Sequence, residues 1–498
     1  MAKMADLVRF KNTVDGQSCE SVSSRWLASV NPYTGEAWAE IPHCDADDAS
    51  AAIESAHRAF TKGPWATMTA TNRGKLLRRL GDLIARDAEK LAAIETRDNG
   101  KLYAEMHGQL RYMPEWFYYF GGLADKIEGG VLPIDKPNLF TYTKKEPLGV
   151  VVAITPWNSP LLLLTWKLAP ALAAGNTIVI KPSEFTSCST LALMELVKEA
   201  GFPDGVINTV TGYGHELGST LVEHPMVAKV AFTGGDATGA AVYAGAAKHI
   251  KHVTLELGGK SPNIVFADAN IDDAVKGAIS GIFAASGQTC IAGSRLLVQR
   301  SVYEEVSQKV VAFAKSARLG NPMEETTQVG PVTTLPQRKK ILDYMDVARG
   351  EGARCLLGGG TPDDPELAKG WFVEPTIFGD VSNSMRIARE EVFGPILSII
   401  PFEDDEEAVE IANDTIYGLA SGVWTSNIRR AFTMADRIRA GTVWVNTYRA
   451  VSFMAPFGGY KMSGIGRESG QAAIDEYLQT KSVWINLAEG VANPFVLR

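Results

Sequence analysis

The feature that most constrains the fold is an alternation of short β-branched runs with helix-length segments between about residues 149 and 266. Parallel strands covered on both faces are near-continuous apolar runs, and a crossover helix joins each to the next. The alternation therefore predicts a doubly wound parallel α/β sheet. The predicted strands are 149–155, 176–181, 205–210, 229–234, 252–258 and 263–266, and the predicted helices are 161–174, 188–200, 214–223 and 238–248.

A second strand–helix series begins after about residue 260 and predicts a second α/β domain. Its predicted elements are helices at 271–285 and 301–317 and strands at 294–299, near 371–378, at 396–401 and at 441–446. Apolar residues at helical spacing predict further helices at 47–61, 71–98, 404–414 and 427–440, with Thr71 or Asn72 as the N-cap of the second of these. Residues 130–150 and 480–486 are expected to form strands outside both cores.

The composition narrows the class of protein. Of 498 residues, 46% are hydrophobic and 21% charged, and the net charge of −8 disfavours a general nucleic-acid binder. No apolar run approaches the roughly 18–20 residues that span a bilayer, and the N-terminal segment has no apolar signal region. The five cysteines are few and widely spaced, with no CxxC pair. We therefore expect a cytoplasmic protein with reduced thiols, without a membrane or nucleic-acid partner and without a metal site.

Two glycine clusters follow predicted strands and are candidates for phosphate binding. One is the run from Thr233 through Gly234 and Gly235 to Gly239, and the other is the run from Gly212 to Gly218. Glycines between a strand and a helix let the backbone approach a diphosphate at the free N–H groups of the helix. Neither cluster matches GxGxxG, so ordinary turn glycines remain an alternative.

An acidic residue, Glu184, follows the strand that ends in Lys181. A carboxylate in this place can accept both hydroxyls of an adenosine ribose, and it would repel a 2′-phosphate, which favours NAD over NADP. A solvated loop or capping carboxylate is the alternative.

Three further side chains are candidates for covalent chemistry. Cys290 lies between a predicted helix and strand, flanked by Gly287 and Gly293, where a sharp turn can present a thiol. Glu256 ends an apolar strand, where partial burial would suit it to general-base work; an ion pair with a nearby cation is the alternative. Asn158 follows the first strand of the sheet and offers an amide donor to an oxyanion, although proline-flanked asparagine is also common in turns.

In this order, these motifs resemble the aldehyde dehydrogenase superfamily from about residue 25 to 488. The stretches that carry the resemblance are TPWNSPL, KPSE, FTGGDATG, LELGGKSPNIV, GQTC, EEVFGP, PFGGYKMSGIGRESG and YLQTKSVW. The resemblance implies a Rossmann-like NAD-binding domain (1–127 and 147–257), a second α/β catalytic domain (258–462) and a small β oligomerisation arm (128–146 and 475–498). It also implies a homo-oligomer, either a tetramer or a dimer.

The resemblance implies that Cys290 is the nucleophile, that Asn158 and the Cys290 backbone N–H form the oxyanion hole, and that Glu256 activates the hydrolytic water. Lys167 would assist the hydrogen-bond network of the site. The residues implied to bind NAD, with NADP less favoured, are Ile154, Thr155, Pro156, Trp157, Lys181, Ser183, Glu184, Gly214, Gly218, Phe232, Thr233, Gly234, Gly235, Thr238, Leu257, Glu391 and Phe393.

Small residues stand at three matched pocket positions, and Gly235 replaces the serine usual in the family. The expected substrate pocket consists of Met113, Phe117, Ser159, Leu163, Trp166, Ala284, Thr289, Ile291, Val451 and Phe457. None of these is charged, which favours a bulky apolar aldehyde, terpenoid or aromatic, over betaine aldehyde or a carboxylate-bearing semialdehyde. Alternatives are a CoA-acylating dehydrogenase, a cysteine esterase or hydrolase, and a catalytically idle binding protein on the same fold.

Overall fold

The computed structural model describes residues 7–490 and 493–495. Its strands are β1 (Val8–Arg9), β2 (Asn12–Val14), β3 (Gln17–Cys19), β4 (Trp26–Asn31), β5 (Glu36–Pro42), β6 (Leu139–Pro147), β7 (Val150–Ile154), β8 (Thr177–Lys181), β9 (Ile207–Thr209), β10 (Val227–Thr233), β11 (His252–Glu256), β12 (Pro262–Val265), β13 (Arg295–Gln299), β14 (Arg354–Leu357), β15 (Thr376–Gly379), β16 (Ile396–Phe402), β17 (Ala420–Trp424), β18 (Thr442–Val445), β19 (Gly464–Ile465) and β20 (Leu478–Asn486).

The helices lie between these strands and cover both faces of the larger sheets. They are α1 (Ala46–Lys62), α2 (Ala70–Arg86), α3 (Ala88–Asn99), α4 (Tyr103–Tyr112), α5 (Pro114–Leu123), α6 (Pro160–Ala174), α7 (Cys188–Ala200), α8 (Gly214–Glu223), α9 (Asp236–Ala247), α10 (Ile271–Phe283), α11 (Tyr303–Lys315), α12 (Leu335–Gly350), α13 (Arg386–Arg389), α14 (Asp405–Asn413) and α15 (Ile428–Arg437).

The first large sheet has the strand order β19-β11-β10-β7-β8-β9 and is parallel except for β19, which pairs antiparallel with β11. All of β8 and nearly all of β7 is buried, as expected for central parallel strands covered by helices. The carboxyl ends of β7, β10 and β11 lie side by side, with Thr233 opposite Glu256. The predicted doubly wound sheet is confirmed.

The second large sheet has the order β14-β15-β16-β13-β12-β17-β18 and is parallel except for the β14–β15 pair. It contains β12, so the run at 263–266 does not continue the first alternation. Asn263 pairs with Leu296 of β13 and Gly422 of β17. The consecutive strands of the first sheet therefore end at β11, one strand earlier than the alternation of apolar runs indicated.

Helix α6 connects β7 to β8 and is apolar on almost every side, because it packs between the sheet and other helices. Pro160 stands at its first position, where a missing N–H costs no hydrogen bond. It ends at Gly175, whose φ of +99° is a left-handed conformation that glycine adopts without strain. This fixed helix carries Ser159 at its start and the buried Lys167 along its length.

Outside both large sheets, β6 and β20 form an antiparallel ribbon in register from Leu139–Asn486 to Pro147–Leu478. Its presence agrees with the strands expected around 130–150 and 480–486. Smaller sheets join β1, β5 and β4, and β2 with β3. Within residues 7–490 and 493–495, no helix has the length and apolar character needed to cross a bilayer.

The single helix expected at 71–98 is wrong, because Asp87 interrupts it and separates α2 from α3. The N-cap of α2 is Thr69, whose hydroxyl accepts from the Asn72 N–H, and not Thr71 or Asn72. The predicted domain bounds also include residues 1–6, 491–492 and 496–498, which lie outside the described residues.

Candidate active site

Cys290 follows a sharp turn that connects α10 to β13. Ala285, Ser286 and Gly287 all have left-handed backbones, with φ of +55°, +52° and +69°. A Cβ at Gly287 would lie 2.1 Å from the Gly394 carbonyl oxygen, so this turn requires glycine there. Left-handed alanine and serine are strained, and such strain is found where the surrounding structure fixes a functional side chain.

The environment of the Cys290 thiol disfavours its ionisation. Burial and, after it, the carboxylates of Glu391 and Glu256 together raise the pKa of Cys290 to about 12. The thiol is therefore protonated near neutral pH, and a nucleophilic thiolate requires a group that accepts the proton.

Glu256 ends β11 with only 4% of its surface exposed. Neither of its carboxylate oxygens has a hydrogen-bond partner among the described residues. Burial, and after it the neighbouring Glu468 carboxylate, raises the pKa of Glu256 well above its usual range. A buried carboxyl without a partner is costly for the fold, and such groups cluster at functional sites.

Lys167 lies on α6, behind the Glu256 carboxyl at the end of β11. Its ammonium group forms a buried ion pair with Glu468 and donates to the Thr233 hydroxyl at 2.6 Å. Thr233 is the strand neighbour of Glu256, so Lys167 connects the carboxyl ends of β10 and β11 to a second buried carboxylate. The predicted network residue therefore lies beside the predicted base.

Asn158 stands between β7 and α6 with 5% of its surface exposed. Its side-chain Nδ2 donates to the Gln288 carbonyl oxygen at 2.9 Å, two positions before Cys290. This bond aims the amide group at the turn that carries the thiol.

Two cavities meet at this point, and both are lined by Cys290, Asn158 and Leu163. We call the smaller, of about 170 Å³, the strand-end pocket. It lies at the carboxyl ends of the first sheet and is lined by Pro156, Trp157, Asn158, Leu163, Thr233, Gly234, Gly235, Glu256, Leu257, Gly258, Cys290, Gln337, Lys340, Glu391 and Phe393.

The strand-end pocket contains many of the predicted cofactor residues but not all of them. Those placed outside it are Ile154, Thr155, Lys181, Ser183, Glu184, Gly214, Gly218, Phe232 and Thr238. For the residues of β8, of the loop after it and of α8, the physical reason is distance along the sheet, since these elements lie beside the strands that form the pocket. At the end of β8, Lys181 Nζ lies 3.1 Å from Glu184 Oε2.

Gly235 precedes α9 and leaves open space beside the helix N-terminus. A Cβ there would have no described atom within 4 Å. The adjacent Asp236 carboxylate accepts from the Tyr417 hydroxyl at 2.8 Å and from the Ala237 N–H at 2.8 Å. The free N–H groups of a helix start favour an anion such as phosphate.

Sequence reasoning missed Gln337 and Lys340, which α12 presents to the strand-end pocket. Gln337 donates to the carbonyl oxygens of Val392 and Phe393 at 2.7 and 3.0 Å, and Lys340 donates to that of Glu391 at 2.8 Å. They hold the loop whose Glu391 side chain accepts from the Gly259 N–H. No motif marks them, because α12 reaches the loop only through packing.

We call the larger cavity, of about 490 Å³, the outer pocket. It is lined by Lys101, Ala104, Glu105, Gly108, Gln109, Tyr112, Trp116, Asn158, Ser159, Leu162, Leu163, Trp166, Ser280, Thr289, Cys290, Ile291, Arg449, Val451 and Phe457. Of the predicted substrate residues, Ser159, Leu163, Trp166, Thr289, Ile291, Val451 and Phe457 line it.

Three predicted substrate residues, Met113, Phe117 and Ala284, are not among those that line the outer pocket. Met113 and Phe117 have no exposed surface, because both pack into the helical core. The expectation of an uncharged lining is also wrong, since Lys101, Glu105 and Arg449 line the cavity. The lining of the outer pocket therefore does not argue against a carboxylate-bearing substrate.

A half-buried thiol, a carboxyl with no hydrogen-bond partner among the described residues and an amide donor stand together at the carboxyl end of a doubly wound sheet, the arrangement expected of enzymes that bind their substrate covalently through cysteine. The chain belongs to the aldehyde dehydrogenase family, whose sequence profile matches residues 19–483. The predicted family and fold class are thereby confirmed.

Curated relatives and solved structures agree with this assignment. A (Z)-2-((N-methylformamido)methylene)-5-hydroxybutyrolactone dehydrogenase of Acinetobacter baylyi is 46% identical over 473 residues, 94% of this chain and 96% of that protein. A betaine aldehyde dehydrogenase of Bacillus subtilis is 42% identical, covering 97% of this chain and 98% of that protein. The crystal structure of betaine aldehyde dehydrogenase from Staphylococcus aureus in complex with NAD+ has a TM-score of 0.96 at 42% identity, covering 98% of this chain and 97% of the other.

Proposed function

We propose that this enzyme oxidises an aldehyde to the carboxylic acid with NAD, through a thiohemiacetal and then a thioester on Cys290. One observation carries the proposal: the Cys290 thiol lies where the strand-end and outer pockets meet, and Glu256, which has no hydrogen-bond partner in the described part of the chain, lines the strand-end pocket. This arrangement lets a substrate in one pocket and a cofactor in the other reach the same sulfur.

In the first step, Cys290 Sγ attacks the aldehyde carbon and its proton passes to a base in the site. Glu256 suits this role because Glu391, the other carboxylate lining the strand-end pocket, already accepts from the Gly259 N–H. The new oxyanion takes hydrogen bonds from Asn158 Nδ2 and the Cys290 backbone N–H. Donors placed in advance at such an oxygen are worth about 10²–10³ in rate.

We propose that NAD occupies the strand-end pocket and extends beyond it along the carboxyl edge of the first sheet, because the pocket, at about 170 Å³, is smaller than the whole dinucleotide. The open space at Gly235 and the N-terminus of α9 suit the diphosphate, Trp157 and Phe393 would flank the nicotinamide, and Glu184 at the end of β8 would meet the adenosine ribose. When bound, NAD supplies the two-electron acceptor that converts the thiohemiacetal to the thioester. The other predicted cofactor residues outside the strand-end pocket are proposed to continue this site along the sheet.

Glu256 then releases the thiol proton to solvent and, as a carboxylate again, removes a proton from the water that hydrolyses the thioester; the Cys290 sulfur is the leaving group and takes up that proton. The raised pKa of Glu256 brings it toward the pH at which a carboxylate is an effective base. Lys167 and Glu468 are proposed to hold the network behind it. A deacylating base favours release of the free acid over acyl transfer to CoA, and the open space at Gly235 beside the N-terminus of α9 favours a dehydrogenase over an esterase.

The proposed substrate is an aldehyde with a bulky apolar body, aromatic or terpenoid. Trp116, Trp166 and Phe457 supply aromatic walls to the outer pocket, and small residues at Ser159 and Val451 leave it wide. An aromatic wall of this kind favours flat or branched apolar groups.

The test is NADH absorbance over a panel of aldehydes, with NAD and NADP compared, for wild type, Cys290→Ser and the exposed Cys355→Ser as the matched control. We expect NADH from aromatic aldehydes with wild type and Cys355→Ser and none with Cys290→Ser. NADH formation by Cys290→Ser, or none from any aldehyde with wild type, would contradict the proposal.

We further propose that the cytoplasmic enzyme is a homo-oligomer, tetramer or dimer, whose arm is 128–146 and 475–498, with a cofactor domain of 1–127 and 147–257 and a catalytic domain of 258–462. The five unpaired cysteines suit a reducing compartment.

The β6–β20 ribbon exposes Phe140, Trp484 and Ile485, and an apolar edge of this kind is a template for pairing between subunits. The molar mass in solution, measured by light scattering coupled to size-exclusion chromatography, tests this oligomeric state. The mass of a monomer would contradict it.

A further inference from the structure

The outer pocket has two cationic side chains in an otherwise largely aromatic and apolar wall. Lys101 is 3% exposed, and its Nζ donates to Ser159 Oγ at 2.9 Å. Arg449 lines the same cavity from the loop after β18. The apolar body of the proposed substrate does not require either charge.

Arg449 is held in place by its neighbours. The adjacent Tyr448 donates its hydroxyl to the Ile291 carbonyl oxygen at 3.0 Å, which ties the loop to the residue after Cys290. The backbone of Arg449 is left-handed, with φ of +67°, and its Nη1 donates to the Ser280 carbonyl oxygen at 3.2 Å. Within residues 7–490 and 493–495, the guanidinium makes no ion pair, so donors remain for a ligand.

The nearby carboxylates do not cancel both cations. Glu105 lines the pocket too, but its Oε1 accepts from the Ala285 N–H at 2.9 Å. Behind Lys101, Glu95 accepts from the Leu161 N–H, and burial raises its pKa to about 7, so its charge is incomplete at neutral pH. Burial lowers the pKa of Lys101 to about 8, which leaves it largely protonated. The lining carries two cations against one carboxylate.

We infer that Arg449 and Lys101 determine specificity by selecting an aldehyde whose apolar body carries a carboxylate at the end remote from the aldehyde carbon. This inference rests on the proposed function and narrows its substrate class. The aromatic walls hold the body, the thiol takes the aldehyde, and the guanidinium pairs with the carboxylate. A forked guanidinium matches a carboxylate in geometry as well as charge.

The experiment compares three benzaldehydes of similar size that differ in charge at the para position: carboxylate, methyl and trimethylammonio. The quantity measured is kcat/KM from NADH formation. We expect wild type to prefer para-carboxybenzaldehyde over para-methylbenzaldehyde by about five- to tenfold, with the ammonium compound the poorest, because a partly exposed ion pair contributes modestly. The preference should shrink as ionic strength rises.

The Arg449→Ala variant should reduce the carboxylate-to-methyl ratio about fivefold, and Lys101→Gln should reduce it as well. Arg429→Ala, an exposed arginine on α15 that does not line the pocket, is the control and should keep the wild-type ratio. A wild-type ratio near one, or a ratio unchanged in a folded, active Arg449→Ala, overturns the inference while the dehydrogenase proposal stands. NADH from no aldehyde overturns the proposed function itself.

Discussion

The strand-end pocket and the outer pocket share Cys290 but are built from different parts of the chain. The strand-end pocket forms where parallel strands end, and glycines, backbone groups and a loop held by α12 line it. The outer pocket is formed by side chains of helices and of the loop after β18. The topology of the sheet thus fixes the shape of the strand-end pocket. Substitutions can change the lining of the outer pocket without altering the sheet. The cofactor side is therefore constrained by the fold, and the substrate side is free to set specificity.

The largest expected effect comes from removing the Cys290 sulfur, the atom that the two pockets share. Cys290→Ala should lower kcat at least about 10⁴-fold, because no other group replaces the nucleophile. NAD binding, measured by quenching of tryptophan fluorescence, should survive since the strand-end pocket is otherwise intact. Loss of NAD binding together with activity would show that the two pockets are not independent.

Glu256→Gln should lower steady-state kcat about 10²–10⁴-fold, the usual contribution of a general base. If thioester hydrolysis is the main task of Glu256, rapid mixing of the variant with NAD and aldehyde should still show a burst of NADH. The burst should equal the concentration of active sites, and almost no NADH should form after it. Glu410→Gln, at an exposed acid on α14 that lines neither pocket, is the control and should retain turnover. A burst that disappears would assign Glu256 mainly to thiol activation.

The raised pKa of Glu256 also sets the sign of the pH dependence. A carboxyl with a raised pKa remains protonated, and inactive as a base, to higher pH than an ordinary glutamate. We expect kcat to rise about tenfold per pH unit on the acidic limb and then level off. The limb should vanish in Glu256→Gln, and a wild-type profile flat from acidic to neutral pH would contradict the assignment.

The smallest effect should come from a matched pair of glycines in the strand-end pocket. A Cβ at Gly258 would lie 2.4 Å from Glu391 Oε2, whereas one at Gly235 meets open space. Overpacking costs about 1–3 kcal/mol, so Gly258→Ala should raise the KM for NAD about tenfold, and Gly235→Ala should change it less than about twofold. Equal effects would show that the pocket adjusts freely around Glu391.

The two pockets also differ in how far the sequence predicts them. Thr233, Glu256 and Trp157 follow recognisable strands, and strand ends of one parallel sheet meet at one edge, so their proximity follows from the alternation alone. Lys101 contacts Ser159 across 58 positions, and this contact depends on how helices pack. Helix packing likewise decides the position of Met113, which the resemblance placed in the substrate pocket and the structure places in the core.

The elements themselves were mostly predictable, because apolar runs and helical spacing mark them strongly. What escaped prediction was the N-terminal strands β1–β5, the strands β14, β17 and β19, the helices α4, α5, α12 and α13, the partition of strands between the sheets and the breaks in helices. The apolar run at 263–266 looks like the strands before it, and only its pairing with β13 and β17 assigns it to the other sheet. Asp87 divides α2 from α3 although the helical spacing continues through it.

The short edge strand β19 has a consequence for engineering the chain. It returns from the far half of the sequence to complete the first sheet, and Glu468, the counterion of Lys167, follows three residues after it. A truncation before Gly464 would leave β11 without its edge neighbour and a buried ammonium without its carboxylate, which costs about 3–5 kcal/mol. A long and a short fragment, expressed separately and divided at that point, should therefore fail as independent units and regain activity only through fragment complementation.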